Sequence, residues 1–182
     1  GTSWLMILLY LFLVFVCLDV LRLCHVVPSA ALHSNGWLSG GIAVTLTVLF
    51  TLAYFHYNDK NRVEMVVTTK KDMKKDVKLV LVSDLHLGYH NTHADLHRWL
   101  TLLKAEHPDA ILIGGDLIDG SYRPVAQEHM AEEFRNLDIP VIACLGNHDY
   151  YTGLNADLQF CRDAGIMVLR DKAIFLDGIG NI

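Results

Sequence analysis

The chain has 182 residues, enough for one folded core with a stretch to spare, and 52% of them are hydrophobic. A net charge of −5 offers no basic surface of the kind that grips a polyanion, so no nucleic-acid partner is expected. Cys17, Cys24, Cys144 and Cys161 fall at no metal-binding or disulfide-framework spacing and read as reduced, structural residues.

Charge is nearly missing from the first third. Trp4–Leu18 is unbroken apolar sequence that continues past Asp19 and Arg22 to Val27, and Gly36 to His56 carries no formal charge. About twenty apolar residues suffice to cross a hydrocarbon core. Residues 1–57 are therefore expected to be a membrane region with two transmembrane helices, at about 4–27 and 36–57. The first reaches spanning length if Asp19 and Arg22 lie at an interface or pair with each other. Trp4, Trp37, Tyr54 and Tyr57 stand near the run ends, as interfacial aromatics do. Two other readings are weaker. Pro28-Ser29-Ala30-Ala31 offers small residues for signal-peptide cleavage, but no basic segment precedes the run. Helices buried in a soluble core are disfavoured by the length and all-round apolarity of both runs. The Gly36/Gly40 spacing of a helix-packing face reads as incidental. The chain opens on Gly1 rather than Met, which reads as an internal piece or a processed product.

Residues 58–76 read as a basic linker or hairpin, with Lys60, Arg62, Lys70, Lys71, Lys74 and Lys75, and Lys78 just beyond. The connection between the apolar runs has almost no fixed positive charge. The positive-inside rule then puts that connection outside and the globular part in the cytoplasm, at an inner or plasma membrane. The basic stretch suits anionic headgroups and a solvated linker equally. Val63, Met65 and Val67 alternate as one face of a strand that would pair with residues 77–83 through a Lys/Asp turn.

Residues 77–182 read as an α/β domain. Val77–Ser83, Ala110–Gly114 and Val141–Leu145 are short, β-branched apolar runs of the kind found in buried parallel strands. Between and after them come helices at Thr92–Glu106, Pro124–Leu137 and Leu154–Ala164, then a short strand at Ile166–Leu169. The carboxyl ends of such strands meet at one crevice, where ligands bind. At those ends stand Asp84-Leu85-His86, Gly115-Asp116 and Gly146-Asn147-His148-Asp149. A mixed Asp, His and Asn set suits two catalytic divalent ions better than one structural zinc. Taken singly, each residue has a plainer reading: a strand-end Asp is often a helix cap, and a lone His a satisfied loop residue. Asp119 is read as the cap of the helix that follows it. His93 and His97 have the spacing of a zinc pair, but Ala94 stands where a metalloprotease carries Glu, and no metal role is expected of them. His90 reads as a loop histidine, and Tyr150 and Tyr151 as pocket lining or packing.

In this order the three clusters resemble those of the calcineurin-like metallophosphoesterases: Asp84-Leu85-His86-Leu87-Gly88, Gly115-Asp116-Leu117-Ile118-Asp119 and Gly146-Asn147-His148-Asp149-Tyr150. The resemblance runs from roughly Arg62 to the end of the chain. It implies a sandwich of two mixed sheets flanked by helices, of which residues 77–182 form the first half behind the transmembrane helices. It implies a dinuclear centre of two divalent metal ions, Mn²⁺ first, with Fe, Zn or Mg as alternatives. Such a pair neutralises phosphoryl oxygens and lowers the pKa of bound water. Asp116 is expected to bridge the ions, Asp84 and His86 to hold one, and Asn147 the other. By resemblance His148 lies outside the metal ligands and protonates the leaving oxygen or stabilises the transition state, while Asp149 holds its imidazole. The reaction implied is hydrolysis of a phosphodiester or pyrophosphate, and membrane anchoring points to a lipid-linked phosphate-ester substrate. Some membrane-associated family members cleave the pyrophosphate of UDP-diacylglucosamine.

The resemblance also implies later histidines, a lone one and a Gly-His-x-His motif, yet no histidine follows His148. The expectation is a piece of a longer protein whose own site is incomplete, binding metal weakly and hydrolysing little. The alternative reading is a catalytically silent, membrane-anchored interaction module. A nucleotide-binding domain is weaker still, because Asp84-Leu85-His86-Leu87-Gly88 is no phosphate-cradling loop.

Overall fold

The two uncharged runs form long helices, α1 (Thr2–Leu23) and α2 (Gly36–Asn58). They are seen in a computed structural model that describes residues 2–28, 36–70, 75–176 and 179–181. The chain divides into two units, Gly1–Val67 and Thr68–Ile182.

In the first unit both helices are long and apolar enough to cross a membrane, and neither is buried within the protein. At 1.5 Å per residue each is about 33 Å long, close to the thickness of a hydrocarbon core. Asp19 and Arg22 do pair, at 4.0 Å on one face of α1. The helix stops at Leu23 rather than near Val27, because His25 turns left-handed (φ 57°) and the Val26 N–H bonds back to the Leu21 carbonyl at 2.9 Å. Tyr10 of α1 meets Phe50 of α2 edge-on, with ring centroids 5.5 Å apart. Among the described residues, a Cβ on Gly36 or Gly40 would meet nothing within 4 Å.

Residues 62–68 belong to no strand, with Val63, Met65 and Val67 exposed. The turn of the expected hairpin, at 71–74, lies outside the described residues. Lys75 and Lys78 tie themselves within the second unit. The Lys75 ammonium pairs with Asp109, the Lys78 N–H donates to Asp109 (2.9 Å), and the Lys78 Nζ donates to Glu106 (2.8 Å).

The second unit is a four-stranded parallel sheet in the order β1 (Leu79–Val82), β2 (Ala110–Ile113), β3 (Val141–Ala143), β4 (Met167–Val168). The register pairs Leu79 with Ala110, Ile111 with Val141 and Ile142 with Met167. β2 and β3 are buried as expected. β1 is an edge strand that leaves Leu79 and Leu81 exposed, since an apolar run does not reveal whether a strand lies at the centre or the rim. A separate antiparallel pair, β5 (Phe175–Leu176) and β6 (Gly180–Asn181), follows.

Helix α3 (His93–Ala105) begins where the Asp95 carboxylate accepts both the N–H and the hydroxyl of Thr92, and it buries Leu96 and Leu100. The single helix expected at 124–137 is two: α4 (Tyr122–Gln127) and α5 (Met130–Arg135), parted by left-handed His129 (φ 52°). In one continuous helix Val125 and Met130, five positions apart, would face about 140° apart at ~100° per residue. The break lets both enter the core, together with Phe134 and Leu137. Helices α6 (Asn147–Thr152) and α7 (Leu154–Ala164) complete the unit, with Phe160 edge-on to Phe134 at 6.0 Å. Gly165, at φ 72°, closes α7 and returns the chain to β4.

Candidate metal centre

Each motif cluster sits on the loop leaving one strand. Ser83 to Asn91 follows β1, Gly114 to Gly120 follows β2, and Cys144 to Gly146 links β3 to α6. The loops are stitched by the backbone. The Asp84 N–H donates to the Gly115 carbonyl (3.2 Å), the His86 N–H to Asp116 (3.0 Å) and the Leu87 N–H to Leu117 (2.9 Å). This ladder stacks the Asp84–His86 segment directly beside Asp116. Asp84, His86 and Asp116 all have left-handed backbone, φ 57°, 45° and 54°. Three non-glycine residues in that sparsely allowed region, side by side, mark a site held by its surroundings.

The glycines admit the third loop. A Cβ on Gly115, itself at φ 95°, would lie 2.6 Å from the Gly146 nitrogen, and one on Gly146 would lie 2.7 Å from the Asp116 nitrogen. Only bare backbone fits at this crossing. The consequence is that the His148 N–H reaches Asp116 Oδ1 at 2.9 Å.

Side chains converge accordingly. Donor atoms of His86, Asp116 and His148 lie within 4.8 Å of one another, and this is the one such His/Cys/Asp/Glu group among the described residues. His86 Nε2 is 3.7 Å from Asp84 Oδ1 and 3.8 Å from Asp116 Oδ2. Those spans are too long for hydrogen bonds, yet close to the separation of two ligands that each bond one ion at about 2.1 Å. The donor set, imidazole plus carboxylates, fits a borderline-to-hard divalent cation. Asp116 is mostly buried; Asp84 is more open, at 63% side-chain exposure, and its carboxylate takes the Ser83 hydroxyl. Asn147 is exposed at the start of α6, between Gly146, which abuts Asp116, and His148.

Residues 77–177, more than half of the chain, match the calcineurin-like phosphoesterase family. The chain belongs to that family. An uncharacterized metallophosphoesterase of Aquifex aeolicus is 33% identical over 123 residues, 66% of this chain and 45% of the relative. A transmembrane protein with metallophosphoesterase domain from Danio rerio is 30% identical over 158 residues, 80% of this chain and 35% of its own length. UDP-2,3-diacylglucosamine pyrophosphatase of Chlamydia trachomatis is 30% identical over 85 residues, 46% of this chain and 26% of the relative. The chain thus spans less than half the length of these relatives.

Two expectations for this site need correction. Asp149 does not orient the His148 ring. It is 1% exposed, and its carboxylate accepts the N–H groups of Gly146 (2.7 Å), Leu117 (2.8 Å) and Asp116 (3.0 Å), with that of Ile118 at 3.5 Å. Placed in the first turn of α6, it faces backward to the loops, away from the imidazole next door in sequence. Asp119 is not a helix cap, since Ser121 holds the cap position of α4. The Asp119 Oδ1 accepts from His148 Nδ1 at 3.1 Å and lies 3.8 Å from His86 Nδ1. It reaches there because the Asp119 N–H donates to the Leu87 carbonyl (2.9 Å), which runs the second loop along the first. No signal in the sequence singled out Asp119 for this place; the path of the loop beside Leu87 puts it there.

The two imidazoles pack edge to face, with centroids 4.4 Å apart, and Tyr151 lies 5.5 Å from the His148 ring. His93 and His97 are elsewhere. They clasp the two oxygens of Glu133 at 3.1 and 2.9 Å and bridge α3 to α5. His90 and Tyr150 are exposed.

Proposed function

We propose that the full-length protein is a membrane-anchored, metal-dependent phosphoesterase. Its reaction is hydrolysis of a phosphodiester or pyrophosphate bond in a lipid-linked substrate, with the catalytic domain on the cytoplasmic face. The observation that carries this reading is the gathering of His86, Asp116 and His148 at the carboxyl ends of parallel strands in a member of this family. Asp84, His86, Asp116 and Asn147 would hold a pair of divalent ions, with Asp116 shared between them. When bound, such ions supply Lewis acidity at the phosphoryl oxygens and a more acidic water.

The rest falls to the chain itself. His148 protonates the leaving oxygen or steadies the charge that develops there, with Asp119 fixing its Nδ1 and so its ring plane. Tyr151 covers one side of the ring. Asp149 fixes the loops that bring Asp116 and His148 together. A lipid-linked substrate is supported by the two apolar helices and by the compound in the name of the Chlamydia trachomatis relative. The cytoplasmic placement rests on the basic residues after α2.

The test is turnover by the full-length protein in detergent. EDTA treatment is expected to abolish hydrolysis of an aryl phosphodiester and of UDP-2,3-diacylglucosamine, and Mn²⁺ to restore at least one of them. Turnover indifferent to EDTA overturns the metal-dependent reading. No turnover of either substrate with Mn²⁺, Fe²⁺, Zn²⁺ or Mg²⁺ favours a silent module.

A further inference from the structure

Asp157 stands outside the motif clusters, on α7, yet it is 1% exposed. One of its oxygens, Oδ1, has no hydrogen-bond partner, and the other meets only the Cys161 thiol at 3.9 Å. Facing it from α6 is Asp149, equally buried. Two carboxylates cannot bond to each other unless one carries a proton. The proton belongs on Asp157. Asp149 has backbone N–H groups on both oxygens to stabilise its charge, whereas Asp157 has a single weak thiol donor. Burial, then the Asp149 charge and its hydrogen bond, push the Asp157 carboxyl up to about 7. Asp149 and Cys161 are the titratable groups that act on it; α4, α5 and β4, also packed against α7, contribute no charged group among the described residues. Cys161 is itself pushed up to about 12 by burial and by these two carboxylates, so it stays a neutral thiol.

We propose that Asp157 is a positioning residue: as a neutral acid it donates its proton to Asp149, which thereby keeps hold of the 116–118 and Gly146 amides, and its ionisation loosens the crossing that joins Asp116 to His148. Loss of the proton to solvent leaves two buried anions in contact. The sense of the pH dependence follows. Between the ordinary carboxyl value and about 7 the folded chain keeps a proton that the unfolded chain has released. Stability therefore falls as pH rises through that window and levels off above it. Asp157→Asn keeps an N–H donor toward Asp149 and has no proton to lose.

The test uses the full chain in detergent with EDTA present, so that no metal titration intrudes. The midpoint of thermal unfolding is followed from pH 5 to 9, and amide hydrogen exchange in peptides covering 115–118 and 146–149 is compared at pH 6 and 8.5 after correction for intrinsic rates. The advantage of Asp157→Asn over wild type is expected to grow by several degrees between pH 5 and 7.5 and then hold constant. Wild-type protection in both peptides is expected to drop at least tenfold at pH 8.5, while that of Asp157→Asn does not. Parallel unfolding curves for the two proteins overturn the proposal. So does wild-type protection that ignores pH, a result that needs no variant to fold. Neither readout involves turnover, so the outcome is independent of the hydrolase reading.

Discussion

His148 is held by two aspartates in two ways: Asp116 takes its backbone N–H and Asp119 its ring N–H. The roles separate by substitution in the full-length protein. His148→Ala is expected to lower kcat by about 10²–10⁴ while leaving metal content nearly intact, checked by turnover beside elemental analysis. Loss of the metals would make His148 a ligand instead. Asp119→Asn is expected to lower kcat by roughly 10–100-fold and shift its pH profile, with no change in the unfolding midpoint. Asp149→Ala should do the reverse, lowering stability first, because it strips acceptors from buried amides. The motif residues themselves were legible in the sequence, because each stands at the end of an apolar run. The partner of the His148 ring was not. Asp119 and Asp149 are both candidates by type, and only the path of the 115–119 loop beside Leu87 decides between them.

At the scale of elements, the site depends on backbone meeting backbone where the β2 and β3 loops cross. Gly146→Ala places a methyl against the Asp116 nitrogen and is expected to destabilise by about 1–3 kcal/mol, read from urea unfolding. A result within 0.5 kcal/mol of zero, roughly the scatter of an ordinary surface substitution, would mean the crossing is looser than it looks. Phe160→Ala removes a fully buried ring that stacks edge-on with Phe134, and about 3–5 kcal/mol should be lost. Strand and helix order followed from periodicity. The break between α4 and α5 did not, because a left-handed His129 leaves no compositional trace; its one hint is the five-residue step from Val125 to Met130, which no single helix face accommodates. The exposure of β1 was hidden for a related reason: Leu79-Val80-Leu81-Val82 reads the same at a rim as in a centre.

For the whole molecule, the sequence carries a charge asymmetry that the fold partly uses up. Lys75 and Lys78 bind Asp109 and Glu106, and the Lys75 hydrogen bond, with the Lys78 N–H, holds the Asp109 carboxyl below its ordinary value. This tie contributes stability above the ordinary carboxyl range and loses it as pH falls through the lowered value. Lys60, set over the Tyr57 ring at 4.1 Å, and Arg62, paired with Glu64 at 2.6 Å, lie next to α2 as the topological signal. With Cys17 and Cys24 replaced by Ser, the exposed Cys144 is expected to resist a membrane-impermeant maleimide in intact cells and to react after the membrane is opened. Labelling in intact cells would put the domain outside.

The left-handed backbone at Asp84, His86 and Asp116 bears on how this protein can drift and how it should be mutagenised. Asn and Gly settle comfortably into that conformation, whereas Val, Ile and Thr are barred by their branched Cβ. A deep mutational scan scored for abundance alone should therefore tolerate Asn and Gly at these three codons and reject branched residues, before any chemistry is asked of them. Inactive Asn and Gly variants that remain abundant are the ones that speak to catalysis; a dead Val variant says only that the chain could not make the turn.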